Sequence, residues 1–197
     1  MANSKTTQKH LRVPYALAVH GKEEEATVLS LLRNRKTIMG EKTKEFEDKV
    51  AAIFGKKYGI MVNSGSSANL LAFELLHLPK GSEVITPVLT FSTTVAPIVH
   101  KGLMPVFVDV ELGSFLIDLK QMKDAIKTKT KCLMIPSLLG NIPDLSFIRK
   151  VADENDLWYI EDSCDTIGAA FNREPTGKYS DISTTSFYGS HVITAAG

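Results

Sequence analysis

The chain has 197 residues, 44% hydrophobic and 23% charged, a size and balance that bury one substantial core and exclude two large domains. A formal net charge of +1 sets up no global field for nucleic acid or an anionic membrane, so neither is expected as a partner and any anion site must be local. No apolar run approaches the ~18 residues of a membrane span and Met1 to Arg12 lacks a secretory core; with Cys132 and Cys164 both in apolar or strand-like contexts, the chain reads as a reduced cytoplasmic protein.

Polar Met1 to Lys9 reads as a loose arm, followed by an apolar approach around Val13 to Val19, so that residues 1–21 form an N-terminal arm. A helix is expected over Lys22 to Arg33. After Thr43, apolar residues at Phe46, Val50, Ile53 and Phe54 keep a helical period, and Gly55 ends it. From Tyr58 the pattern changes to short apolar runs: Gly59 to Val62, Val84 to Thr86, Val106 to Val108, Cys132 to Ile135 and Trp158 to Ile160. These alternate with segments long enough for helices, and Gly81, Pro87, Gly102, Pro105, Gly140 and Pro143 punctuate the changes. Apolar strands separated by helical crossovers predict an α/β fold, a three-layer αβα arrangement with a mostly parallel sheet. Residues 22–197 are expected to form that one domain.

Ligands of such sheets bind beyond the carboxyl ends of the strands, where loops and helix N-termini share a crevice. The polar residues of interest fall there. Ser64, Gly65, Ser66 and Ser67 follow the first expected strand and open a helix; Phe91 follows the second, Asp109 the third and Asp162 the fifth. A Ser-Gly-Ser-Ser turn at a helix start suits a phosphate dianion, and equally serves as a plain N-cap. Phe91 can stack on a planar ring or fill the core. Adjacent Glu161 and Asp162 at the end of an apolar strand are costly unless a cation or cleft receives one of them. His191 follows Ser186 after a short β-like stretch, either as a surface residue or as a base near neutrality.

Six segments carry a resemblance: Asn-Ser-Gly-Ser-Ser-Ala-Asn-Leu from Asn63, Pro-Val-Leu-Thr-Phe from Pro87, Pro-Val-Phe-Val-Asp-Val from Pro105, Leu-Gly-Asn-Ile-Pro-Asp-Leu from Leu139, Ile-Glu-Asp-Ser-Cys-Asp from Ile160, and Ser-Phe-Tyr-Gly-Ser-His from Ser186. From about Val13 to Thr194 the chain resembles the DegT/DnrJ/EryC1/StrS sugar aminotransferase family, pyridoxal-phosphate enzymes of fold type I. Within it, Glu-Asp-x-Cys-Asp together with Ser-Phe-Tyr-x-x-His is similar to the nucleotide-sugar 3-dehydratase branch. The aminotransferase branch has lysine at the position of His191, and glutamine or histidine at that of Asp165.

The resemblance implies pyridoxamine or pyridoxal 5'-phosphate as cofactor and a nucleotide-linked 4-keto-6-deoxyhexose as substrate, in deoxysugar biosynthesis for lipopolysaccharide or O-antigen. It places Asp162 on the pyridine nitrogen, Phe91 on the ring, and Gly65, Ser66, Ser67 and the Ser186 hydroxyl on the phosphate. Asp165 then stands near the 3-hydroxyl and His191 is the catalytic base, in place of the lysine that normally tethers the cofactor. One group of the branch binds an iron–sulfur cluster and draws electrons from a reductase partner; another regenerates the cofactor from glutamate. Cys164 falls where the first cluster cysteine of the former lies, although a cluster needs several thiolates. The family is dimeric and about twice this length, so the chain is expected to be the large cofactor-binding domain, incomplete, without the small C-terminal domain. Two other readings stay open: an aminotransferase with another lysine, Lys178 being nearest in sequence to the site, and a truncated family member without catalysis.

Overall fold

The computed structural model describes residues 11–17 and 19–195, so the expected loose arm over Met1 to Lys9 lies outside the described residues. Helix α1 (Lys22–Arg33) spans the range its sequence predicts, opening on three acidic residues that complement the free amides of its first turn. Glu24 reaches back to accept from the Gly21 amide at 2.7 Å. Helix α2 (Glu41–Ile53) follows, and Gly55 leaves it at φ +65°.

A five-stranded sheet comes next. Its strands are β1 (Glu83–Pro87), β2 (Met104–Val108), β3 (Thr130–Pro136) and β4 (Trp158–Asp162), with β7 (Ile182–Thr184) completing the set in the order β2-β1-β3-β4-β7. Every pairing is parallel. Parallel neighbours need crossovers, and α4 (Ser92–His100), α5 (Leu119–Asp124) and α6 (Leu145–Glu154) supply them. A two-strand hairpin, β5 (Ala170–Phe171) with β6 (Glu174–Pro175), precedes β7.

The period-2 alternation of the strands separates two cores. Ile85, Leu133, Ile135 and Tyr159 pack with Met122 of α5 and with Leu145, Ile148 and Val151 of α6. On the opposite face Val84, Cys132, Met134 and Ile160 pack with Ala72 and Phe73 of helix α3 (Gly65–Leu76) and Ile98 of α4. Both faces are covered, which is why the strands read as continuous apolar runs.

The expected first strand, Gly59 to Val62, is not a strand among the described residues. Its backbone is held by α2 instead of by a ladder partner. A Cβ on Gly59 would lie 2.4 Å from the Glu47 carbonyl oxygen, and the Met61 amide donates to Glu47 Oε1 at 2.8 Å. The strand expected from this apolar run is therefore absent, because α2 takes up the backbone groups that a ladder would use.

Alternation also parts the two adjacent carboxylates. Asp162 faces α3 and α4, whereas Glu161 turns the other way and is fully buried. Glu161 Oε2 accepts from Ser183 at 2.9 Å and Ser180 at 3.4 Å, while Oε1 has no partner. Lys56 comes close from the end of α2, its ammonium donating to the carbonyls of Ser180 and Asp181. Burial raises the Glu161 pKa above the usual carboxylate range, against the hydroxyls and the Lys56 charge. The folded chain therefore holds this proton more tightly than the unfolded chain. The stability contribution is complete below the ordinary glutamate pKa of about 4.3 and is lost as pH rises through the folded value. Glu161→Gln is expected to flatten that loss, gaining on the parent more at about pH 8 than at about pH 5, with about 1.4 kcal/mol for each pKa unit of displacement, as read from urea midpoints.

Candidate active site

Asp162 ends β4 and is 6% exposed. Its Oδ2 accepts from Asn69 Nδ2 at 3.0 Å and from Thr94 Oγ1 at 2.9 Å, so helices α3 and α4 each supply one donor. Asn69 is oriented in turn, because its Oδ1 accepts from the Thr184 hydroxyl at 2.6 Å. Oδ1 of Asp162 has only the Cys164 amide at 3.3 Å. One oxygen thus carries two donors and the other a single longer contact, which leaves it room for a further donor such as a cationic ligand nitrogen.

Sequence reasoning missed Asn69, Thr94 and Thr184 as parts of this site. A signal was available. Asn69 shares the buried face of α3 with Ala72 and Phe73, and Thr94 that of α4 with Pro97 and Ile98, each a polar residue at i before apolar ones at i+3 and i+4.

The N-terminus of α3 forms the second corner. Ser64 caps the helix, accepting from the Ser67 amide at 3.2 Å, and its hydroxyl meets that of Ser67 at 3.2 Å. The cap leaves the amides of Gly65 and Ser66 for a ligand, so the capping and anion-binding readings of this turn are compatible. A Cβ on Gly65 would lie 2.8 Å from Ser186 Cβ, 3.2 Å from its hydroxyl and 3.4 Å from Cys164 Sγ. Glycine is needed here for close approach, and the fold brings Gly65, Ser186 and Cys164 together. Ser66 is exposed and Ser67 half-buried. Phe91 is not a core residue: it is 68% exposed at the start of α4, three positions before Thr94.

His191 forms the third corner, its amide donating to the Tyr188 carbonyl at 2.9 Å and its ring edge-on to Tyr188 at 5.9 Å. Nε2 lies 3.8 Å from Asp165 Oδ1, and Nδ1 is buried with no hydrogen-bond partner among the described residues. Asp165 Oδ2 accepts from the Leu139 amide at 2.9 Å. Lys178 is far from this arrangement. It precedes β7, hence sits toward the amino ends of parallel strands whose carboxyl ends carry Asp162, and it pairs with Glu174.

The cysteines do not converge. Cys132 is buried in β3 beside Trp158, whereas Cys164 lies past the far end of β4, ~20 Å away along the strand direction. Burial raises both thiol pKa values, and the Asp162 charge adds to the effect on Cys164. Two cysteines this far apart cannot ligate one cluster together.

Residues 19–197 match the DegT/DnrJ/EryC1/StrS aminotransferase family. The chain belongs to this family. Among its relatives, the lipopolysaccharide biosynthesis protein RfbH of Salmonella typhimurium is 43% identical over 76% of this chain and 36% of its own length. The GDP-4-keto-6-deoxy-D-mannose 3-dehydratase of Escherichia coli is 35% identical over 95% of this chain and 50% of its own. A solved structure of an E. coli GDP-4-keto-6-deoxy-D-mannose-3-dehydratase with bound hydrated PLP superposes with a TM-score of 0.88 at 35% identity, covering 93% of this chain and 49% of that one. A sugar aminotransferase of Streptococcus pneumoniae in its PLP form gives the same TM-score at 25% identity. The chain spans about half the length, or less, of these DegT-family relatives, and its fold is that of the fold-type I enzymes among them.

Removing one donor of this network tests its weight. Asn69→Ala is expected to cost about 1–3 kcal/mol of stability by chemical denaturation, because Asp162 loses a buried donor and the Thr184 hydroxyl keeps only its longer bond to the Glu161 carbonyl, at 3.4 Å.

Proposed function

We propose that this chain is the cofactor-binding part of a nucleotide-sugar 3-dehydratase that uses pyridoxamine or pyridoxal 5'-phosphate on a nucleotide-linked 4-keto-6-deoxyhexose, in deoxysugar biosynthesis for lipopolysaccharide or O-antigen. The observation that carries this reading is His191, an imidazole beside Asp165 where an aminotransferase needs a lysine. The residues fit the cofactor. A buried carboxylate whose second oxygen has a single longer contact suits a pyridine nitrogen, and the Gly65 cradle with its spare amides suits a phosphate.

When bound, the cofactor supplies an amine for the sugar ketone and a ring that withdraws electrons. Asp162 would hold the ring nitrogen's proton through Oδ1. Phe91 would pack against the ring, and Gly65, Ser66, Ser67 and Ser186 would hold the phosphate. Asp165 would be the residue nearest the cofactor's 3-hydroxyl. His191 takes up the proton whose removal lets the C3 hydroxyl leave, and without a tethering lysine the site favours this elimination over amine exchange.

Among the described residues no helix is long and apolar enough to cross a membrane, and we place the protein in the cytoplasm. A homodimer accords with the exposed apolar side chains Val88, Leu89 and Leu139 beyond the carboxyl ends of the strands. The separation of the two cysteines speaks against a cluster built from this chain alone. A reductase partner therefore depends on residues outside it.

Two measurements test the reading. After incubation with pyridoxal phosphate and borohydride reduction, the expected result is a shifted cofactor spectrum with no phosphopyridoxyl mass on any lysine; one stoichiometric lysine adduct would sink the dehydratase assignment. In the same protein His191→Ala should abolish elimination with cofactor binding retained, whereas Gly65→Ala should weaken cofactor binding by about tenfold or more, through displacement of Ser186. Unchanged properties in both variants would favour a non-catalytic protein.

A further inference from the structure

We infer that Asp165 is the positioning residue of His191, acting from a strained turn that locks its carboxylate. The two oxygens have different partners. Oδ2 accepts from the Leu139 amide at 2.9 Å, and Leu139 is held at φ +57°, a conformation that a leucine keeps only when its surroundings impose it. Gly140, at φ +83°, completes the turn. Asn141 ties its far side down by donating to the Ser114 carbonyl at 2.8 Å.

With Oδ2 held by the Leu139 amide, the carboxylate turns Oδ1 toward the imidazole, 3.8 Å from His191 Nε2. That distance is too long for a hydrogen bond and short enough for charge and dipole to orient the ring. Catalytic contacts of this kind are often long in ligand-free sites and tighten on binding. Among the described residues nothing else polar fixes the imidazole: Nδ1 has no partner, and Tyr188 presents only its ring. The group facing one ring nitrogen sets which nitrogen carries the proton in the neutral imidazole and how the ring is turned, and at Nε2 that group is Asp165.

The catalytic meaning of this inference rests on the dehydratase reading; the orientation does not. Its test uses Asp165→Asn, which keeps an acceptor for the Leu139 amide but removes the charge, and Asp165→Ala, which removes both. Carbethoxylation by diethyl pyrocarbonate, resolved by peptide mass, reports ring access at His191, with exposed His20, His77 and His100 as internal controls. The expected result is a severalfold faster reaction at His191 in both variants, with the controls unchanged. In turnover both variants should lower kcat by about 10- to 100-fold with KM nearly constant. If Asp165→Asn reacts and turns over like the parent and only Asp165→Ala departs, Asp165 is a turn anchor and the inference is overturned. Faster carbethoxylation in both variants of a protein that shows no elimination at all would uphold the orientation and overturn the dehydratase reading instead.

Discussion

The rest of the site depends on the bonding of one carboxylate. Asp162 joins β4 to α3 through Asn69 and to α4 through Thr94, and Thr184 of β7 closes the network behind Asn69. All of these groups are buried, so each would be costly alone and is stable only in company. The helix that opens at Gly65 is therefore the helix that fixes Asp162. In the proposed reading one rigid element sets both the phosphate corner and the ring-nitrogen corner, so their separation stays constant without any loop having to close.

The neighbouring carboxylate shows how a strand divides labour between its faces. Glu161 and Asp162 are adjacent in sequence, yet one meets serine hydroxyls and the approach of Lys56, the other amide and hydroxyl donors from two helices. Period-2 geometry alone gives them unlike environments. Glu161 ties β4 to β7 through Ser183 and to the turn before it through Ser180; Asp162 ties β4 to α3 and α4.

Much of this was legible in the residues. The apolar runs gave four of the five expected strands, because strands covered on both faces must be apolar throughout, and the helical period gave α1 and α2 closely. Gly59 to Val62 misled because an apolar run reports an extended backbone but not the identity of a ladder partner. At the site, motif order brought out Asp162, Ser186 and His191, whereas Asn69 and Thr94 were hidden by their setting: a buried polar residue on a helix looks ordinary until its partner is known. Asp165 was expected near a cofactor hydroxyl. Its bond to Leu139 depends on a left-handed leucine, which no propensity foretells.

The unpaired stretch from Gly59 to Val62 also bears on how unevenly the molecule is protected. Central β3 is enclosed by ladders on both sides, and its residues Cys132 to Ile135 have no exposed surface, so their amides open only when the whole domain does. Residues 59–62 lead directly into the Ser64 cap, yet they are held mainly by contacts to Glu47. The segment that delivers the chain to α3 is thus expected to exchange with solvent before the central sheet does, and the most guarded strand, β3, follows it in sequence only after β1 and β2.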